Sequence, residues 1–273
     1  MSRVAIVTDS AADLPSGLAE AEGIGIVPLT VRFGDRTFHD GVDLPMEEFW
    51  GRIARGELPT TASPSPLELL ERYSAAEVAG AVSVVSIHVS GALSRTAETA
   101  RLAAADAPLP VAVVDSRSVS LGQALVVRAA ARRAAEGADR SDVAAEAERA
   151  VADLRVSAFV DTVEFLQRGG RVGKARAAIS DLLRIRPVLS LEDGEPTLAA
   201  RPRTRGRAVQ ELVERLGSPA TACAVFHGGA PEAGALATEL SRRCGVEPLV
   251  GEIGAITGTH LGPRSLGAAV VRR

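Results

Sequence analysis

Hydroxyl and carboxyl side chains collect where three short apolar runs of this sequence end. These places are Thr8-Asp9-Ser10, the stretch from His88 to Ser94, and Asp115-Ser116 with Ser118. In an open α/β sheet, ligands bind beyond the carboxyl ends of the strands, so the pattern points to a pocket there. Ser94 to Thr96 open a helix directly after such a loop. Free backbone N–H groups and the helix dipole suit one carboxylate or phosphate at that place, with the Ser hydroxyl as a further donor. The same Ser serves equally well as a plain N-cap. Asp13, Asp115 and Ser116 read as residues that cap helices and satisfy turns. His260 lies between Gly258-Thr259 and Gly262-Pro263, in what reads as a flexible Gly-rich loop. An imidazole there either faces a ligand or serves the structure.

Several chemistries find no support. His39, His88, His227 and His260 do not stand at metal-ligand spacing with one another or with a Cys, so no metal site is expected. Cys223 and Cys244 make neither a disulfide framework nor a zinc pattern and read as two reduced thiols. GxGxxG fails after each early strand and GxxxxGK[ST] is absent, which argues against nucleotide sites of those types. No cofactor is expected. There is no GxSxG elbow, and nothing local supports a Ser94–His260–acid triad.

The elements that must position these residues follow from local pattern. VAIV and PVAVV read as buried parallel strands, and 80–115 as one strand–helix–strand unit. A helix is expected from Pro15, a strand near Ile24–Val31, a hairpin turn at FGDRT and a helix over 45–55. Ser65 and Glu68 form a capping box with Pro66 at the first helical position, so a helix starts there and runs to about Ala76. Helices are expected at about 94–105, 118–136 and 141–154, the last with Ser141 as N-cap. Beyond residue 155 the expected order is a VSAFVDT strand, a tight Gly-Arg turn, a DG hairpin within PVLSLEDGEPTLAARP, and a helix over 205–216. A strand over 220–227, a helix from Pro231 to before Gly245 and strands in VEPLVGEI and SLGAAVV complete it.

The chain has 273 residues, 46% of them hydrophobic and 24% charged, enough for a sizeable core and unlike a disordered composition. At about 150 residues per domain this suggests two domains, here 1–155 and 156–273. The first reads as a parallel sheet with crossover helices and the second as an α+β or mixed-sheet domain. Net charge is −3, which does not suggest nucleic-acid binding. Basic charge is unevenly placed, however: residues 168–207 hold 10 Arg and Lys against 4 Asp and Glu. That stretch is either a solvated face or the mark of an anionic partner. MSR runs straight into VAIV without a signal segment, and no run approaches the ~18 apolar residues of a transmembrane segment. A cytoplasmic protein is expected.

A set of motifs in order resembles the DegV family of two-domain bacterial proteins that bind a single fatty acid. TDSAADLP (8–15), VPLTVRFGDRTFHDGVDL (27–44) and TASPSP (61–66) are similar to its first three blocks. SGALSRT (90–96), DTVEFLQRGGRVGKA (161–175), RTRGRA (203–208) and GTHLGPRSLG (258–267) are similar to the later ones. The resemblance implies the DegV-like two-domain α/β fold, an α/β/α parallel-sheet first domain and an α+β second domain, with an acyl chain buried between or inside them. It implies that Thr61, Ser94 and His260 hold the carboxyl group. It further implies a non-catalytic subunit that presents a long-chain fatty acid to a fatty acid kinase, which makes an acyl phosphate for phospholipid synthesis, with Arg203 at the handover. Elementary energetics agree with such a ligand: ~14 buried methylenes at about 0.8 kcal/mol each give a gross ~11 kcal/mol.

The sequence departs from the family pattern at four positions. Gly91 replaces a Ser, Arg95 and Arg264 replace Gly, and the second hydroxyl of the TSxPSP loop is lost at Ala62. Two added cations near the ligand would suit a more highly charged headgroup. The alternatives are therefore a regulatory protein for another small carboxylate or phosphate ligand, and a hydrolase with Ser94 as nucleophile and His260 as base.

Overall fold

The computed structural model describes residues 3–175 and 185–273. Residues 176–184 of the basic stretch lie outside the described residues. The first half is built on a four-stranded sheet of order β2-β1-β6-β7, all parallel. Its strands are β1 (Val4–Asp9), β2 (Ile24–Val27), β6 (Ser83–His88) and β7 (Val111–Asp115). A small antiparallel sheet of order β4-β3-β5 stands beside it, from β3 (Thr30–Phe33), β4 (Arg36–His39) and β5 (Thr60–Ala62). The apolar stretch expected as one strand over Ile24–Val31 is thus two strands in two sheets. Pro28 has no N–H to continue the ladder, and Leu29 N donates instead to Ser10 Oγ at 3.0 Å.

Helices α1 (Leu18–Ala21), α2 (Met46–Ala54), α3 (Pro66–Val78) and α4 (Thr96–Ala105) belong to this half. The capping box forms as expected: Ser65 N donates to Glu68 Oε2 at 2.7 Å and Glu68 N donates to Ser65 Oγ at 3.3 Å. The helix expected from Pro15 is a single turn, because Gly17 and Gly23 stand in the left-handed region at either end. Helix α4 starts at Thr96 with Arg95 as its N-cap, so Ser94 lies just before the helix and does not cap it.

Two long helices follow, α5 (Leu121–Ala135) and α6 (Arg140–Asp153). The cap of α6 is Asp139, whose carboxylate accepts from Asp142 N at 2.9 Å, and Ser141 Oγ donates to that same carboxylate. The charged acceptor at the positive helix end displaces Ser141, the expected cap.

The second half carries a six-stranded sheet of order β10-β9-β8-β13-β11-β12. Its strands are β8 (Leu154–Phe159), β9 (Val188–Glu192), β10 (Glu195–Ala200), β11 (Ala220–His227), β12 (Leu249–Glu252) and β13 (Leu266–Arg272). The last strand lies inside the sheet, paired antiparallel with both β8 and β11. Helices α7 (Glu164–Arg168), α8 (Arg205–Leu216), α9 (Ala233–Cys244) and α10 (Ala255–Leu261) complete the described residues. Helices α8 and α9 cover one face of this sheet in a core that contains Cys223 and Cys244. Burial pushes the Cys223 thiol up to about 12, so it is no nucleophile at neutral pH.

The opposite face turns toward the first half. Sheet membership changes at Leu154, where α6 passes directly into β8, but the apolar core continues across. It joins Ile6 and Ile87 of the parallel sheet, Leu125 and Val143 of α5 and α6, and Val156 and Phe226 of the second sheet. Helix α5 is buried on all sides over its first two turns, Leu121 to Val127, while Arg132 and Ala135 near its end are exposed. A Cβ at Gly122 would collide with Val156 and Ser118, so only glycine lets α5 approach β8 this closely.

Candidate functional site

Where the carboxyl ends of β1 and β6 face the second sheet, a cavity of about 920 Å³ opens, counting the solvent in its mouth. Leu29, Val89, Leu166, Leu189, Phe226 and Ile256 give it an aliphatic and aromatic wall. Phe226 finds room because its cross-strand neighbour is Gly267, where a Cβ would collide with its ring.

Thr61, Ser94 and His260, far apart in sequence, line this one cavity. Thr61 Oγ1 and His260 Nε2 share a hydrogen bond of 3.0 Å. Ser94 Oγ shares hydrogen bonds with Ser63 Oγ at 3.0 Å and with Thr96 Oγ1 at 2.8 Å. Arg171 also lines the cavity and closes the group: its Nε donates to Leu93 O at 3.0 Å and its Nη1 to Gly169 O at 2.6 Å. Gly169 in turn lies against His260, since a Cβ there would strike Nδ1 of the imidazole. One cation and several neutral donors therefore meet at a single patch of an otherwise apolar wall.

Burial pushes the His260 imidazole down to about 4, and the Arg171 charge adds to that. It is neutral at physiological pH. Nδ1 has no hydrogen-bond partner among the described residues, Nε2 is engaged by Thr61, and the neighbours of Ser94 are hydroxyls. Ser94 is thus not hydrogen-bonded to His260 as a nucleophile would be to its base.

His260 does not stand in a flexible loop. It occupies the last turn of α10, which ends at Gly262 with φ of 75°. A Cβ at Gly258 would meet the rings of Phe49 and Trp50, so close aromatic packing holds this glycine-containing segment as a helix. The start of α10 is held by two buried carboxyl groups. Gly254 N donates to Asp13 Oδ1 at 2.9 Å and Ala255 N to Asp40 Oδ1 at 3.0 Å. Asp13 is thus a tertiary cap for this distant helix.

Burial raises the Asp13 carboxyl to about 7, with the Asp40 charge adding to the rise, and burial raises Asp40 to about 6. In the unfolded chain an Asp titrates near 3.8. Between that value and about 7 the folded protein holds more protons than the unfolded chain, so stability falls as pH rises through this window. We expect the melting temperature to drop between about pH 4 and about pH 7, and to drop less in Asp13→Asn. Asn tolerates the left-handed backbone of position 13 and keeps the acceptor. Thermal unfolding at stepped pH checks this; equal slopes in the two proteins would refute it.

Arg95 and Arg264 lie outside the cavity wall. Arg95 is exposed and pairs with Glu98 at 2.9 Å. Arg264, with φ of 58°, pairs with Asp161 at 3.5 Å. The idea that these two cations remake the ligand site is corrected by this placement. Asp161 also pairs with Arg186 at 2.9 Å and with Arg205 at 2.7 Å. Part of the excess positive charge is therefore spent on internal ion pairs. Arg203 is exposed on the segment before α8, away from the cavity. Sequence reasoning missed Arg171 and Ser63. Arg171 had a signal in the Gly-Arg turn and the basic stretch, but nothing local marks it as the cation that, among the described residues, lines the cavity.

No group of His, Cys, Asp and Glu suited to a metal occurs among the described residues, and no helix there is long and apolar enough to cross a membrane. A family model described as an uncharacterised protein of the DegV family matches residues 3–273. A DegV domain-containing protein of Streptomyces coelicolor is 38% identical over 281 residues, covering 100% of each chain. Among solved structures, a DegV family protein from Thermus thermophilus, described for its fatty acid binding, superposes with a TM-score of 0.91. It is 35% identical, and the match covers 99% of this chain and 100% of that one. DegV of Bacillus subtilis, described as a fatty acid binding protein, superposes equally well at 0.91, with 31% identity and 100% of both chains covered.

Proposed function

The chain belongs to the DegV family, and from that premise we propose that it binds one long-chain fatty acid, with the carboxylate held by Thr61, Ser94, Arg171 and His260. The observation that carries this reading is the long apolar wall that meets a single cluster of donors and one cation. A fatty acid has the same division into one anionic end and an apolar tail. The polar end supplies hydroxyl donors and a guanidinium, which suit an acceptor-only carboxylate. The neutral imidazole of His260 adds a polar contact without a second full charge. Two solved relatives described as binding fatty acids support the same ligand.

The protein is, in this reading, a non-catalytic carrier working in the cytoplasm. It offers the carboxylate to a fatty acid kinase, whose ATP transfers its γ-phosphoryl group to a carboxylate oxygen and leaves ADP and an acyl phosphate. Arg203, exposed and outside the cavity, is assigned to the docking of that kinase. The apolar tail supplies most of the affinity, and the cost of ordering the ligand is subtracted from it.

Native mass spectrometry of the purified protein, followed by organic extraction, tests the ligand. We expect a one-to-one adduct with the mass of a long-chain fatty acid. A protein that is bare as purified and takes up no added palmitate or oleate would refute the reading.

A further inference from the structure

Strand β5 ends at Ala62, with Thr61 inside it and Ser63 directly after it. Thr61 reaches His260 and Ser63 reaches Ser94. Ala62 also lines the cavity but offers no hydroxyl donor there, so the hydroxyls on this stretch are those of Thr61 and Ser63. Ser63 stands at a position where the family block specifies no residue.

The consequence follows from counting protons and lone pairs. A serine hydroxyl donates one hydrogen bond and accepts two. Ser94 Oγ has Ser63 Oγ at 3.0 Å, Thr96 Oγ1 at 2.8 Å and Thr96 N–H at 3.4 Å. The Thr96 N–H can only donate and takes one lone pair; when Ser63 donates to the other, both are filled and the proton of Ser94 is left for the cavity or for Thr96 Oγ1. Each donor in such a row polarises the next. An acceptor-only ligand aligns the row in this one direction. A ligand that both donates and accepts does not need it aligned.

We propose that Ser63 is a positioning residue: through Ser94 it presents a hydroxyl donor to the headgroup and gives the pocket a preference for a carboxylate over a neutral headgroup. The assignment rests on the fatty-acid reading above. Its size is that of one net hydrogen bond, a loss of about five- to tenfold in affinity.

The test measures palmitate and hexadecanol binding to the full chain by displacement of a fluorescent fatty acid, for wild type, Ser63→Ala and Ser63→Thr. Ser63→Ala is expected to weaken palmitate about five- to tenfold while hexadecanol stays within about twofold of wild type. Ser63→Thr keeps the hydroxyl and is expected to bind palmitate as wild type does. In a Ser94→Ala background, Ser63→Ala is expected to have no further effect, because its route to the ligand is gone. An unchanged palmitate affinity in Ser63→Ala overturns the assignment alone, with the fatty-acid reading intact. So does an equal loss for both ligands, or a Ser63→Thr protein as weak as Ser63→Ala. A wild type that binds no palmitate and no oleate overturns the fatty-acid reading, and the assignment with it.

Discussion

A protein carrying Thr61→Val together with Ser94→Ala should lose about 10² to 10⁴ in affinity for a fatty acid. Hydrogen bonds to a charged group contribute about 1.5–3 kcal/mol each, so two of them account for about 3–6 kcal/mol. Against a gross ~11 kcal/mol from the tail, reduced by ordering costs, that loss separates a ligand that survives purification from one that does not. Valine matches threonine in shape, and Thr61 is only partly buried, so the fold should persist. Removal of the Thr61 hydroxyl also frees His260 Nε2, which donates to the ligand only in one tautomer. Equilibrium dialysis with palmitate measures the change. Affinity within about threefold of wild type would show that the hydroxyls do not hold the carboxylate.

Asp9→Ala should be the most destabilising single change in the first half, at about 3–5 kcal/mol. The Asp9 carboxylate is fully buried and accepts from four donors: Ala11 N at 3.1 Å, His88 Nδ1 at 2.9 Å, Val89 N at 3.0 Å and Gln123 Nε2 at 3.2 Å. Removing it leaves those donors without water, and each buried unpaired polar group costs about 1–3 kcal/mol. The network extends through His88 Nε2 to Ser86 Oγ at 2.7 Å and on to Tyr73 at 3.0 Å. Asp, His and Ser stand here in the order of a hydrolytic triad. Yet Ser86 and His88 are wholly buried and do not line the cavity that holds Thr61, Ser94 and His260, so the constellation is structural. At roughly 2–4 °C per kcal/mol, the melting temperature should fall by about 6–20 °C. A fall under about 3 °C would mean that the network relaxes around the gap. The change should also reach the candidate site, because Ala11 and Val89, both tied to Asp9, line its cavity.

These two variants act on groups of differing legibility. Thr61, Ser94 and His260 stand out in the sequence only through ordered motifs, since nothing in a threonine or a lone histidine marks it for a ligand. The Asp9–His88–Ser86 network left a trace in the polar residues at the strand ends. Its partners were hidden because β1 and β6 become neighbours only in the sheet. Ser63 shows no local signal, because its role comes from a hydroxyl on a separate loop 31 residues away.

Local patterns settled those parts of the fold that short-range physics controls. The Ser65–Glu68 box with Pro66 starts α3, the DG turn joins β9 to β10, and uninterrupted apolar runs make the buried parallel strands. In each case the interactions that choose the conformation lie within a few residues, and they keep their sign in any tertiary context. Long-range packing decided the rest. His260 stands on a helix because Phe49, Trp50, Asp13 and Asp40 hold α10 from elements about 210–240 residues away in the chain. Arg171 faces the cavity while Arg264 and Arg205 are drawn to Asp161, a choice made by which acceptors the assembled fold brings near. The chemistry of each residue is a property of the chain, but burial, pairing and direction exist only once the two sheets close on α5 and on the cavity beside it.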